Sequence, residues 1–218
     1  MDKAYVRLVG QPSPSHLDLN TIKAMLDPIG PTEALAVGQT STNRTKYLDV
    51  DKWIKSAIHE ASLLRLPDYP LSILDIGTGP GYLPLVCKTL GHRCIGLDRP
   101  QMFFAAMRKW TGTETVIHKI EPLKPLPAFR QPFDMVTTLR TPFNTVWAER
   151  RLFTIDEWSY LLDEIKKLLK PNGSFSLRMN RKYEYVGLVY GSPELMKLFE
   201  ARGGSFEPSR AIRFAPLL

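Results

Sequence analysis

Apolar residues along this chain change period repeatedly, and each change marks a predicted element. From Asp51 to Leu66, Trp53, Ile54, Ala57, Ile58, Ala61 and Leu64 recur at helical spacing with Lys52, Lys55 and Glu60 on the other side, which predicts a core-facing helix. Pro67 to Pro70 stop it, and Leu71 to Ile76 reads as a short buried strand that runs into a glycine loop. Tyr82 to Leu90 suits a helix closed by Gly91, and Arg93 to Leu97 suits a second strand, so the unit is strand, loop, helix, strand. The alternation continues with a helix from Gln101 to Trp110 and strands at Thr115 to His118 and Phe133 to Leu139. Thr154-Ile-Asp-Glu157 has the form of a capping box, and behind it Trp158, Leu161, Leu162, Ile165, Leu168 and Leu169 make one apolar face. The turn Lys170-Pro-Asn-Gly173 is expected to end that helix, followed by a strand from Ser174 to Met179, a helix from Pro193 to Ala201 and a short strand near Ala211 to Phe214.

Strands alternating with helices in this way predict an α/β fold, a doubly wound, mostly parallel sheet flanked by helices. Ligands in that architecture bind at the carboxyl ends of the strands, where the strand order reverses. The segment up to about Ser41 is rich in Pro and Gly apart from a short predicted helix from Leu17 to Leu26. Residues 1–50 are therefore expected to form an N-terminal extension or lid, and residues 51–218 the ligand-binding domain.

Composition narrows the function classes. With 218 residues, 44% hydrophobic and 23% charged, the chain is long enough for one α/β domain with a full core. No apolar stretch approaches the roughly 20 residues of a membrane-spanning helix, and MDKAYVRLVG lacks the apolar core of a signal peptide, so a soluble, cytoplasmic protein with no membrane partner is expected. Cys87 and Cys94 form no Cys-x-x-Cys pair, and His16, His59, His92 and His118 are scattered, so neither a disulfide framework nor a metal site is expected. The net charge of +7 favours an anionic partner. The basic residues are dispersed, however, and Arg178 to Lys182 lies at a strand, where charges often line a solvated face, so an ordinary basic surface is expected.

The most informative stretch is Ile73-Leu-Asp-Ile-Gly-Thr-Gly-Pro-Gly-Tyr-Leu-Pro84, with glycines at 77, 79 and 81. Glycines in such a loop allow positive φ and let a ligand approach the backbone. A dinucleotide fingerprint would need its third glycine at position 82, where this chain has Tyr82. Asp98, 21 residues after Gly77, stands where a carboxylate accepts hydrogen bonds from both hydroxyls of a ribose. Asp75 sets a second carboxylate beside the loop, which repels a diphosphate and favours an ammonium or sulfonium group.

On these residues the chain resembles the class I S-adenosylmethionine-dependent methyltransferases. Asp75-Ile-Gly77-Thr78-Gly79-Pro-Gly81 is similar to their acidic-x-Gly-x-Gly-x-Gly motif. Gly96-Leu-Asp98-Arg99-Pro-Gln-Met102 is similar to their second motif, Phe133 to Leu139 to the fourth strand, and Leu168 to Gly173 to the turn before the fifth. The resemblance spans about residues 51 to 180. It implies S-adenosylmethionine as cofactor, with Asp98 on the ribose and apolar residues after it flanking the adenine. It also implies adenine contacts just after the third strand, here Ile120 and Glu121, with the usual acidic position falling at Lys119 by one alignment and Glu121 by another.

The loop after the fourth strand, Thr138-Leu-Arg-Thr-Pro-Phe-Asn144, is expected to face the methyl group and the substrate, which makes Thr138 and Arg140 the catalytic candidates. It lacks the initial polar acceptor of the Asn- or Asp-Pro-Pro-aromatic motif found in enzymes that methylate amides or exocyclic amines. Phe143 could pack on a substrate. Arg140 could pair with an anionic substrate or with a neighbouring carboxylate. Tyr47, in Asn43-Arg-Thr-Lys-Tyr47, is a candidate to close the pocket, where a solvated helix entrance is the alternative. The implied activity is methyl transfer to an O, N or C nucleophile of a small or medium-sized molecule. A nucleic-acid methyltransferase, a non-catalytic cofactor-binding scaffold and an aminopropyl transferase are the alternatives, the last disfavoured because the loop lacks acidic groups for a polyamine.

Overall fold

The computed structural model describes residues 17–27, 45–179, 192–208 and 210–218. Its main sheet has seven strands: β1 (Ser72–Ile76), β2 (Arg93–Asp98), β3 (Thr115–Ile117), β4 (Phe133–Leu139), β7 (Leu169–Arg178), β8 (Gly204–Phe206) and β9 (Ile212–Phe214), in the order β3-β2-β1-β4-β7-β9-β8. β4 runs parallel to both β1 and β7, whereas β9 pairs antiparallel with β7 and β8. A separate two-stranded hairpin, β5 (Thr145–Val146) and β6 (Arg151–Leu152), follows β4. The described helices of the α type are α1 (Leu19–Lys23), α2 (Val50–Leu63), α3 (Tyr82–Thr89), α4 (Met102–Thr111), α5 (Ile155–Leu168) and α6 (Pro193–Ala201). The expected mostly parallel sheet with flanking helices is the fold observed.

The chain divides into two compact units. One contains the described residues up to Leu71 together with Thr78–Gly96 and Pro100–Val116, and within it α2 packs on α3. Ile54, Ala57 and Ala61 form the buried stripe of α2. Glu60 was expected on the polar side but is buried: it lies three residues after Ala57 and beside Ala61, inside the same stripe. The other unit contains Ser72–Gly77, Leu97–Arg99 and the described residues from Ile117, and there α5 packs on β4, β7 and α6. Its core gathers Ile73, Leu74, Val136, Phe175, Phe199, Phe214 and Trp158.

Two other expectations change. β7 begins at Leu169 rather than after the Lys170–Gly173 turn. Phe133 pairs with Leu169 and Met135 with Ser174, so residues 170–173 bulge out of register instead of separating helix from strand. Arg178 is buried rather than on a solvated face, since β7 is paired on both sides. Among the described residues no helix is long and apolar enough to cross a membrane, and no group of three or more His, Cys, Asp or Glu is placed to hold a metal.

α5 opens on the expected capping box. Thr154 accepts from the Glu157 backbone N–H, and the Glu157 carboxylate accepts from the Thr154 N–H at 2.7 Å. The Arg151 guanidinium clasps the same carboxylate in bidentate fashion at 2.6 and 2.8 Å, holding its pKa below the ordinary value of 4.5. A depressed folded-state pKa contributes stability above the unfolded value, and that stability is lost as pH falls through the folded one. Glu157→Gln is therefore expected to lower the thermal midpoint at neutral pH, with the gap from wild type closing as the pH drops below about 4.5. Thermal scans of both proteins from neutral pH down to acid check this, and a gap independent of pH would contradict it.

Candidate cofactor and acceptor site

In the unit that holds β1 and β4, the strand order reverses between those two strands, and their carboxyl ends lie side by side. Asp75 is in register with Thr137 and Ile76 with Thr138, and Thr138 in turn pairs with Leu177 and Leu139 with Arg178. This is where an open α/β sheet leaves a crevice for a ligand. Asp75 is almost completely buried. Gly77 leaves β1 at φ +75°, donates its N–H to the Leu97 carbonyl at 2.7 Å and accepts at its own carbonyl from Thr141 Oγ1 at 3.1 Å. A Cβ at Gly77 would overlap the Thr141 side chain, so glycine is required here by the close approach of the loop after β4.

Asp98 ends β2, next to β1 in the sheet. Its Oδ1 accepts the Arg99 N–H and its carbonyl accepts the His118 N–H, both at 2.8 Å. The carboxylate is thus held at the strand terminus by the Arg99 N–H, and the main chain there by His118. Several buried polar atoms of this unit have no hydrogen-bond partner: Thr137 Oγ1, Thr138 Oγ1, His118 Nε2 and Asn144 Nδ2. Buried polar atoms left in that condition are costly unless a ligand or water meets them. Thr137 and Thr138 sit at the reversal point and His118 beside Asp98, so the polar groups present suit a nucleoside better than an apolar guest.

Arg140 has φ +55°, the left-handed region, which costs a non-glycine residue roughly 1–2 kcal/mol. The strain is held by two anchors. Its N–H donates to the Arg178 carbonyl at 2.7 Å, and the next residue, Thr141, is tied to Gly77. Further along the same loop, Phe143 is half-buried and packs edge to face against the buried Trp158 ring, with centroids 5.7 Å apart.

In the other unit, Gly79 has φ +55°, and a Cβ there would meet only the Phe104 ring, 3.9 Å away. The backbone at Gly79 is thus open to a close neighbour, and its carbonyl accepts from Arg108 Nη1 at 3.0 Å. Thr78 is buried with its Oγ1 unpartnered, and Gly81 is the left-handed N-cap of α3. Tyr82, where a dinucleotide loop needs glycine, is buried and donates its hydroxyl to the Tyr47 carbonyl at 2.8 Å. Burial, reinforced by Asp49, pushes that phenol far above its ordinary pKa, so it stays a donor. The Tyr47 ring lies 4.7 Å from Trp53 and 5.2 Å from Phe104.

The structure therefore brings Asp75, Gly77, Asp98, Arg99, Thr138 and Arg140 to strand ends of one unit, and Tyr47, Thr78, Gly79, Gly81 and Tyr82 together in the other. Met102 opens α4 and is 71% exposed. Ile120 is half-buried, and Glu121 is gripped by Lys119 and Lys124 at 3.1 and 3.0 Å, which lowers its pKa. Thr141, Asn144, Phe104 and His118 were not singled out from the sequence. Only Thr141 and Asn144 carried a signal, as members of the loop after β4.

The sequence profile of a family described as a methyltransferase domain matches residues 48–203. No curated protein sequence matches the chain. Similar solved structures include the glycopeptide N-methyltransferase MtfA, at 19% identity over 57% of this chain and 52% of that one, with a TM-score of 0.43. CalS10, a SAM-bound amino pentose methyltransferase from Micromonospora echinaspora, is 22% identical over 58% of this chain and 50% of its own, with a TM-score of 0.44. YjhP from E. coli is 13% identical over 82% and 73%, with a TM-score of 0.47. The chain spans about half the length of the first two.

Proposed function

Because the chain belongs to the methyltransferase-domain family, we propose that it transfers a methyl group from S-adenosylmethionine to an O, N or C nucleophile of a small or medium-sized molecule. One observation carries this reading: two strand-terminal carboxylates, Asp75 and Asp98, accompany a positive-φ glycine, Gly77, in one unit where the strand order reverses. Asp98 holds the two ribose hydroxyls. Buried Asp75 supplies negative charge toward the ammonium and sulfonium end and turns away a diphosphate. When bound, the cofactor supplies an electrophilic methyl group on sulfur.

The chain's own contribution is alignment. Thr138 and the anchored loop from Arg140 to Asn144 orient the acceptor, and holding two reactants in near-attack geometry supplies up to about 7–11 kcal/mol of the barrier. A nucleophile that is already unprotonated then needs no dedicated base. Calorimetric titration with S-adenosylmethionine, S-adenosylhomocysteine and NAD tests the reading. Saturable binding of the two sulfur nucleosides without NAD is expected, and binding of NAD alone would overturn it.

A further inference from the structure

Resting on that reading, we infer that Arg108, with the hydroxyls of Thr111 and Thr113, is a positioning residue: it sets the affinity for the nucleoside by holding carbonyls of the glycine loop. Every group involved belongs to the unit that contains Thr78–Gly96 and Pro100–Val116. Glycine gives up more backbone freedom on ordering than any other residue, so a stretch such as Gly79-Pro-Gly81 needs ties from outside to keep one shape. Its own turn bond runs from the Gly81 N–H to the Thr78 carbonyl at 3.1 Å.

The outside ties come from the end of α4. Arg108 is 3% exposed, and its Nη1 donates to the Gly79 carbonyl at 3.0 Å. Thr111 lies three residues on, along the same helix face, and Gly112, left-handed at φ +64°, turns the chain so that Thr113 stands beside it. The two hydroxyl oxygens are 2.8 Å apart, with Thr111 Oγ1 3.3 Å from the Pro80 carbonyl and Thr113 Oγ1 3.2 Å from the Gly81 carbonyl. Each hydroxyl has one proton to give. With Thr111 donating to Thr113, the pair closes on the Gly81 carbonyl; with the direction reversed, Thr111 faces the Pro80 and Arg108 carbonyls. A Cβ on Gly81 would overlap both hydroxyls, so the pair lies directly against the loop.

A buried guanidinium is a poor choice for stability alone, because its desolvation offsets much of what its bonds return. A charge-assisted bond to one carbonyl of a glycine-rich stretch is better suited to specifying a single conformation. That conformation matters at Gly79, where a Cβ would meet only the Phe104 ring, 3.9 Å away: the α-carbon is open to a close neighbour while the carbonyl is tied to α4. A loop ordered in advance relieves a ligand of the entropy of ordering it, and this is the route by which Arg108 acts on affinity.

The test titrates the full chain with S-adenosylhomocysteine by calorimetry, wild type first. Absence of wild-type binding would overturn the cofactor reading and this inference with it, whereas the variants address this inference alone. Arg108→Met is expected to weaken binding about tenfold or more, and Arg108→Lys, which keeps the charge and a donor, to recover part of the loss. Thr113→Val, which keeps the shape but not the hydroxyl, is expected to weaken binding about threefold, and Thr113→Ser to bind as wild type does. This pattern of rescue separates positioning from packing, since a side chain that only supports the fold would lower the thermal midpoint and leave the affinity of the folded protein unchanged. Folded variants that all bind as wild type does, or an Arg108→Lys protein as weak as Arg108→Met, would overturn the proposal. If Arg108→Met does not fold, the Thr113 pair decides, and equal affinity of Thr113→Val and Thr113→Ser would then overturn it.

Discussion

Asp98→Ala is expected to weaken S-adenosylhomocysteine binding by about a hundredfold or more in calorimetric titration, without a material change in the thermal midpoint. Hydrogen bonds to a charged group contribute roughly 1.5–3 kcal/mol each, and losing two to the ribose hydroxyls removes at least about 3 kcal/mol, or more than two powers of ten. The fold should be spared because the strand pairing at this position runs through the Asp98 carbonyl, which accepts from His118, rather than through the side chain. Asp98→Asn, which keeps one acceptor but loses the charge, should fall between. An Asp98→Ala protein that titrates like wild type would remove the carboxylate from the binding role assigned to it.

Trp158→Ala is expected to cost about 3–5 kcal/mol of stability, the range for emptying a buried tryptophan site. Trp158 is 1% exposed and meets Phe143, Phe153 and Phe199 edge to face, with centroids 5.3–6.1 Å away. At roughly 2–4 °C per kcal/mol for a chain of this size, the midpoint should drop on the order of 10 °C. The same ring meets Phe143, so the variant should also loosen the loop after β4. Thermal unfolding checks the loss of stability, and a midpoint within about 2 °C of wild type would show that the cavity collapses at little cost.

Much of this arrangement is written in local pattern. β1, the glycine loop and α3 follow from an apolar run that meets Gly77 and then changes period, and the start of α5 follows from Thr154 and Glu157, whose capping contacts lie within one turn. The illegible parts are those fixed by partners distant in sequence. β5 and β6 have two residues each, too short for any alternation, and exist only as each other's partner. The early start of β7 depends on Leu169 finding Phe133, which no local signal announces. The buried state of Arg178 has the same origin, since its neighbours on either side of β7 come from elsewhere in the chain.

The candidate site divides along the same line. Glycines and a strand-terminal acid are recognisable because backbone geometry and charge demand those residue types. Asn144 is an ordinary loop residue until Phe153 pins its backbone and burial strips its amide of water. Phe143, read from sequence as a surface that could meet a substrate, also ties the loop to Trp158, a contact that no local pattern announces.

Tyr82 stands where a glycine would admit a pyrophosphate, and the same phenol tethers Tyr47 through its carbonyl. One side chain thus occupies the position of the third dinucleotide glycine and attaches the polypeptide leading into α2. Exchanging Tyr82 for glycine would therefore do more than open the loop: it would also remove the hydrogen bond that holds the backbone at Tyr47.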